Sequence, residues 1–119
     1  MAKYERQLTG DFDGFLNYLH GGILGGSITA KLQDGGDYVI GQARCAVRVY
    51  ERYSAIGSNR LSANVTVLGV GNQPLVSVIA AGGSQAMFFK VNTWGEQAFC
   101  DKIAEVIEGY VRATTPPVA

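Results

Sequence analysis

The chain has 119 residues, 47% of them hydrophobic and 17% charged, which excludes whole-chain disorder and lets one domain form a core without disulfide or metal staples. Ten basic and ten acidic side chains cancel, which argues against nucleic acid or a membrane surface as the partner, since binders of either carry net positive charge. The start, Met1-Ala2-Lys3-Tyr4-Glu5-Arg6, lacks an apolar signal core, and no window approaches the roughly 18 apolar residues of a membrane span.

Taken in order, residues 3–8 alternate as a short edge strand. Asp11 is placed to cap a helix, because its carboxylate can accept from exposed first-turn amides. Phe12, Phe15, Leu16 and Leu19 make the apolar stripe of that helix, and Gly21-Gly22 is the expected stop. Ile28, Ala30 and Leu32 alternate as a strand, and Asp34-Gly35-Gly36-Asp37 reads as a hairpin turn. The return strand starts near Tyr38 and runs, with a bulge near Gly41, to Tyr53. Residues 54–58 turn the chain, a strand runs to Val70, Gly71-Asn72-Gln73-Pro74 turns it again, and Leu75 to Ala81 is strand-like.

Residues 85–91 are apolar on both parities and read as a buried strand or an extended run over the core. Thr93 and Glu96 have capping-box spacing and open a final helix with Phe99, Ile103, Val106, Ile107 and Tyr110 on its buried face. Residues 1–112 form the domain, and 113–119, with two prolines, a frayed tail.

Two amphipathic helices and a half-polar sheet must bury their stripes together. The expectation is a two-layer α+β sandwich, an antiparallel sheet of five or six strands with two helices on one face. Strand, helix, four or five strands, helix resembles in element order the TATA-binding-protein-like folds, a group that includes helix-grip proteins. The stretches Arg48-Val-Tyr-Glu-Arg-Tyr-Ser54, Gly82-Gly-Ser-Gln-Ala-Met-Phe-Phe-Lys90 and Trp94-Gly-Glu-Gln-Ala-Phe99 resemble a small family of uncharacterised bacterial proteins over most of the chain. That resemblance implies a cytosolic bacterial domain of unknown function and carries over no catalytic or ligand residue.

Charge is segregated. Residues 41–90 carry Arg44, Arg48, Arg52, Arg60 and Lys90 against Glu51 alone, whereas both ends are acidic. Parity in the central hairpin puts Cys45, Val47, Val49, Leu61, Ala63, Val65 and Val67 on one face. Arg44, Arg48, Tyr50, Arg52, Arg60, Ser62, Asn64 and Thr66 fall on the other, a polar surface with four arginines. If Ser54 faces Ser58, Arg52 lies opposite Arg60, Arg48 opposite Asn64 and Tyr50 opposite Ser62. Paired guanidiniums suit a carboxylate or phosphate, and Arg with Tyr suits contact surfaces. Arg48, Tyr50, Arg52, Arg60 and Asn64 are therefore the expected partner or small-anion site, in a homodimer or against another protein. The bland alternative is an ordinary wet sheet face. A second candidate is an apolar ligand held between the sheet and the final helix by Met87, Phe89 and Trp94.

No catalytic set or cofactor site emerges. His20 reads as a helix-end cap, and Cys45 and Cys100 as small hydrophobes in a reducing cytoplasm. Two cysteines and one histidine fit no metal spacing. Gly82-Gly83-Ser84-Gln85 lacks the Gly-Lys-Ser/Thr ending of a phosphate loop. An enzyme would need His20 at hydrogen-bond distance from Cys45 or Cys100.

Overall fold

The computed structural model describes residues 1–26, 29–53, 60–82 and 89–115, with side chains in the last segment from Gly95 onward. Its elements are β1 (Ala2–Gln7), α1 (Phe12–Gly25), β2 (Lys31–Ile40), β3 (Ala43–Tyr53), β4 (Arg60–Val70), β5 (Gln73–Gly82) and α2 (Phe89–Thr114). The sheet order is β1-β5-β4-β3-β2, and every neighbouring pair is antiparallel. β2 to β5 form a meander, β1 returns to pair with β5, and α1 carries the chain from one edge of the sheet to the other.

Glycines explain two of the meander's three connections. Gly41 and Gly71 have φ of +58° and +62°, a left-handed geometry that glycine adopts without a side-chain clash. Each opens a two-residue connection, Gly41-Gln42 and Gly71-Asn72, of the length that best matches strand twist. The second lies where the residues predicted it. The first does not: the chain runs straight through Asp34-Gly35-Gly36-Asp37 as β2 and turns at Gly41 instead. The glycine pair serves packing there, since a Cβ on Gly35 would stand 2.5 Å from the Val47 carbonyl oxygen. The strand expected from Ile28 begins at Lys31; Ile28 itself lies outside the described residues.

Both helices pack on one face of the sheet, giving the expected two-layer α+β arrangement. Phe12 of α1 lies against Gly69, and Leu61 lies against Gly95 of α2. α2 crosses β1, β5 and β4, with α1 beside it. The core between the layers includes Phe15, Leu19, Ile23, Phe99, Ile103 and Ile107 from the helices and Leu61, Val65, Val67, Val76 and Val78 from the sheet. Asp11 caps α1 as expected, accepting from the Gly14 amide at 2.8 Å.

α1 does not stop at Gly21-Gly22 but continues to Gly25. Gly22 is a point of close approach between helices, where a Cβ would overlap Val106 Cγ1. α2 already includes Phe89, so Thr93 lies within the helix rather than at its N-cap. Glu96 is buried and pairs with the N-terminal ammonium. The run at 85–91 is helical from Phe89 onward, and residues 85–88 lie outside the described residues. A short run apolar on both parities carries no period, so it cannot separate strand from helix. α2 ends at Thr114, just past the expected domain limit, and residues 116–119 lie outside the description.

Candidate interaction surface

The register of the central hairpin decides which side chains share a face. Tyr53 pairs with Arg60, Arg52 with Leu61, Tyr50 with Ala63 and Arg48 with Val65. This is one residue away from the register that sets Ser54 opposite Ser58. Because side chains alternate with period two, a one-residue shift carries a whole strand's pattern to the opposite face. Arg44, Ala46, Arg48, Tyr50 and Arg52 therefore lie on the helix side, with Leu61, Ala63, Val65 and Val67. Cys45, Val47, Val49, Glu51 and Tyr53 lie on the outer side, with Arg60, Ser62, Asn64 and Thr66. The expected Arg/Tyr surface is thus divided between two faces, and Arg52 does not oppose Arg60.

The helix-side residues have partners within the fold. Tyr50 is 1% exposed, and its hydroxyl lies 2.7 Å from His20 Nδ1. Burial pushes its phenol up to about 12. Arg48 lies across β2: its guanidinium donates to the Val47 carbonyl at 2.9 Å, to the Gly36 carbonyl at 3.2 Å and to Asp37 at 2.9 Å. Gly35 leaves room for that side chain, since a Cβ there would also come within 3.1 Å of it, while a Cβ on Gly36 would meet the Tyr38 ring on the other face. Arg44 grips Asp13 with two bonds of 2.7 and 3.0 Å and stacks over Phe12 at 4.3 Å; this bidentate contact holds the Asp13 carboxyl below its usual range. Arg52 reaches over the Phe99 ring at 5.6 Å.

On the outer face, Arg60 bonds Glu51 at 2.7 Å and Thr66 donates to Asn64 at 2.9 Å. At one corner of the sheet Arg52 and Arg60 both line a pocket of about 260 Å³, with Lys31, Gln33 and Glu51. Met87 lies outside the described residues. Phe89 and Trp94 belong to α2, but their side chains also lie outside the description.

His20 sits inside α1 rather than in its last turn, held by Tyr50. Cys45 is on the outer face, with the sheet between it and His20. Cys100 is buried, and burial raises its thiol pKa.

Residue patterning missed the outer face itself. No helix covers it. Tyr38 and Ile40 from β2, Leu68 and Val70 from β4, and Leu75 and Ile79 from β5 are exposed there, Ile40 to 83% and Tyr38 to 58%. Ala43, Cys45, Val47 and Val49 join them from β3, half-buried. Tyr38, Ile40, Ala43, Cys45 and Leu68 line a shallow recess of about 80 Å³. One signal was available: β4 alternates cleanly through Thr66 and then becomes apolar on both parities at Leu68 and Val70.

The arrangement defines a two-layer α+β domain whose five-stranded sheet has one face under helices and one that no described helix covers, apolar at its Gly41/Gly71 end. The chain belongs to a family of unknown function, DUF6054, whose model matches residues 1–111. No curated protein and no solved structure matches it.

Proposed function

We propose that this protein is a cytosolic binding and assembly module that works as a homo-oligomer, two copies stacking outer sheet face on outer sheet face. The observation that carries this reading is the bare apolar face. Its extent suits the role. Four strands of about ten residues are about 33 Å long and the six-residue β1 about 20 Å, so at about 4.8 Å spacing the whole face, polar residues included, offers about 700 Å². A standard stable interface uses about that area per partner. The apolar part of the face is concentrated at the Gly41/Gly71 end, where Tyr38, Ile40, Cys45, Leu68, Val70 and Leu75 adjoin, and contiguous exposed apolar patches mark interaction sites in soluble proteins.

Charge favours a second copy as the occupant. The outer face carries Lys3, Lys31 and Arg60 against Glu5, Asp34 and Glu51. They lie on the edge strands and at one end, while Val47, Val49, Asn64, Thr66 and Ser77 occupy the middle. Lys3–Glu5 and Arg60–Glu51 are already paired, at 3.4 and 2.7 Å. A face with no net charge can meet its own copy without repulsion, and a charged rim around a less charged centre is the usual interface anatomy. Stacked sheets pack about 10 Å apart with strands about 30° from parallel. Cys45 and Cys100 lie in different layers, which fits a compartment where both stay reduced.

The test is the sedimentation of wild type and of the Leu68→Lys/Val70→Lys variant. Both positions are exposed, so the monomer should tolerate the change within about 0.5 kcal/mol. Wild type should associate at micromolar concentration. The variant should lose that association at an unchanged melting temperature in dilute solution. Wild type that stays monomeric at every concentration, or a variant that associates equally well, overturns the reading.

A further inference from the structure

β2 forms the sheet edge farthest from α2, and all its residues except Gly36 are exposed. Leu32 and Val39, on its helix side, are 42% and 68% exposed, because the helix layer stops short of this strand. The other edge, β1, is only six residues long and keeps Tyr4 and Arg6 against Glu108 of α2. Natural edges are blunted by shortness, proline, lysine or cover. β2 has ten residues, no proline, no cover from the described helices and one lysine, at its first position.

We propose that β2 pairs antiparallel with β2 of a second copy, joining two five-stranded sheets into one of ten strands. The strand's own charges narrow the register. Antiparallel pairing of identical strands has its twofold axis normal to the sheet, so residues of like parity face each other. A centre at Asp34 or at Asp37 would oppose two carboxylates directly, and like charges opposite one another destabilise a sheet. A centre at Gly36 sets Asp34 opposite Tyr38 and Asp37 opposite Gly35. Arg48 already neutralises Asp37 at 2.9 Å. This register also keeps the pairs from Asp34 to Tyr38 clear of the irregularity between Leu32 and Asp34. A second copy therefore fits the edge without a like-charge clash, and glycines at the seam let the backbones approach closely.

The edge contact does not rest on face stacking. Its axis is normal to the sheet, whereas the stacking axis lies between two sheets. Perpendicular twofold axes that intersect close as a tetramer with 222 symmetry.

Native mass spectrometry on four proteins separates the two contacts. The edge variant is Leu32→Lys/Val39→Lys, which brings new ammonium groups from the two copies near one another across the seam and leaves the outer face untouched. The face variant is Leu68→Lys/Val70→Lys, and the fourth protein combines all four changes. Wild type is expected as a tetramer, each double variant as a dimer and the combination as a monomer. A wild-type dimer abolished by the edge variant and indifferent to the face variant upholds the edge and overturns the stacking. A dimer with the opposite sensitivities upholds stacking and overturns the edge; a wild-type monomer overturns both. Hydrogen exchange on wild type gives an independent reading. Amide protection in β2 should rise with protein concentration, and β2 amides exchanging equally fast at all concentrations overturn the proposal.

Discussion

Arg48 is a structural residue, and its contacts predict how it fails. Its side chain is 18% exposed and holds Asp37 and two carbonyl oxygens across β2 and β3. Arg48→Glu would remove those bonds and set a carboxylate beside Asp37. The expected loss is roughly 2–3 kcal/mol, seen as a lower melting temperature of dilute monomer. A surface role would give the reverse: changed association at constant melting temperature. Tyr50 makes a second residue-scale prediction. Burial raises its phenol and that of Tyr4 to about 12 from the ordinary 10.0, and the hydrogen bond to Glu108 adds to the effect at Tyr4. The folded state thus keeps protons that the unfolded chain releases. Their contribution is complete below pH 10 and is lost as pH rises toward 12. Ultraviolet titration should show part of the phenolate signal delayed into that window, together with falling stability. Tyr50→Phe should weaken the alkaline loss and cost about 1 kcal/mol at neutral pH through the broken bond to His20. Titration of all tyrosines together near the ordinary value in folded protein would contradict this.

Among the elements, the seam between α1 and α2 depends on Gly22. A Cβ there would overlap Val106 Cγ1. Gly22→Ala improves helix propensity by up to about 1 kcal/mol, but overpacking a seam costs about 1–3 kcal/mol. The net expectation is destabilisation, relieved when Val106→Ala is added, as a double-mutant cycle of thermal unfolding would measure. Gly22→Ala that stabilises the chain by itself would contradict the close approach. This position also shows what the sequence could carry. Glycine at a helix stop and glycine at a helix crossing are the same letter, so Gly21-Gly22 suggested an end where α1 continues. The stripes of both helices, the Asp11 cap and the Gly71 turn were legible because each rests on local chemistry. The hairpin register was not, because Tyr53–Arg60 and Ser54–Ser58 pairings differ by one residue in a segment without a decisive turn signal. That residue moved Arg48, Tyr50 and Arg52 under the helices and turned Cys45, Val47 and Val49 outward. β3 offered little warning: Ala46 and Tyr50 fit a core as well as Val47 and Val49 do, and the arginines reach polar partners at its margin.

For the whole molecule, stacking of outer faces would make stability depend on concentration. A partner that binds only the folded state raises the apparent melting temperature by mass action. The two free thiols report this without added labels. Cys45 stands half-buried on the outer face, in the recess with Tyr38 and Leu68, while Cys100 is 1% exposed within the core. In dilute protein an alkylating reagent should modify Cys45 first and reach Cys100 only through unfolding. As concentration rises through the association range, stacking should cover Cys45 and slow its modification, and the melting temperature should climb in step. In Leu68→Lys/Val70→Lys, Cys45 should stay reactive throughout. Edge pairing through β2 leaves the outer face open and does not protect this thiol. A Cys45 rate that never changes with concentration, in a protein that nonetheless associates, would therefore assign the contact to the edge strand and withdraw it from the sheet face.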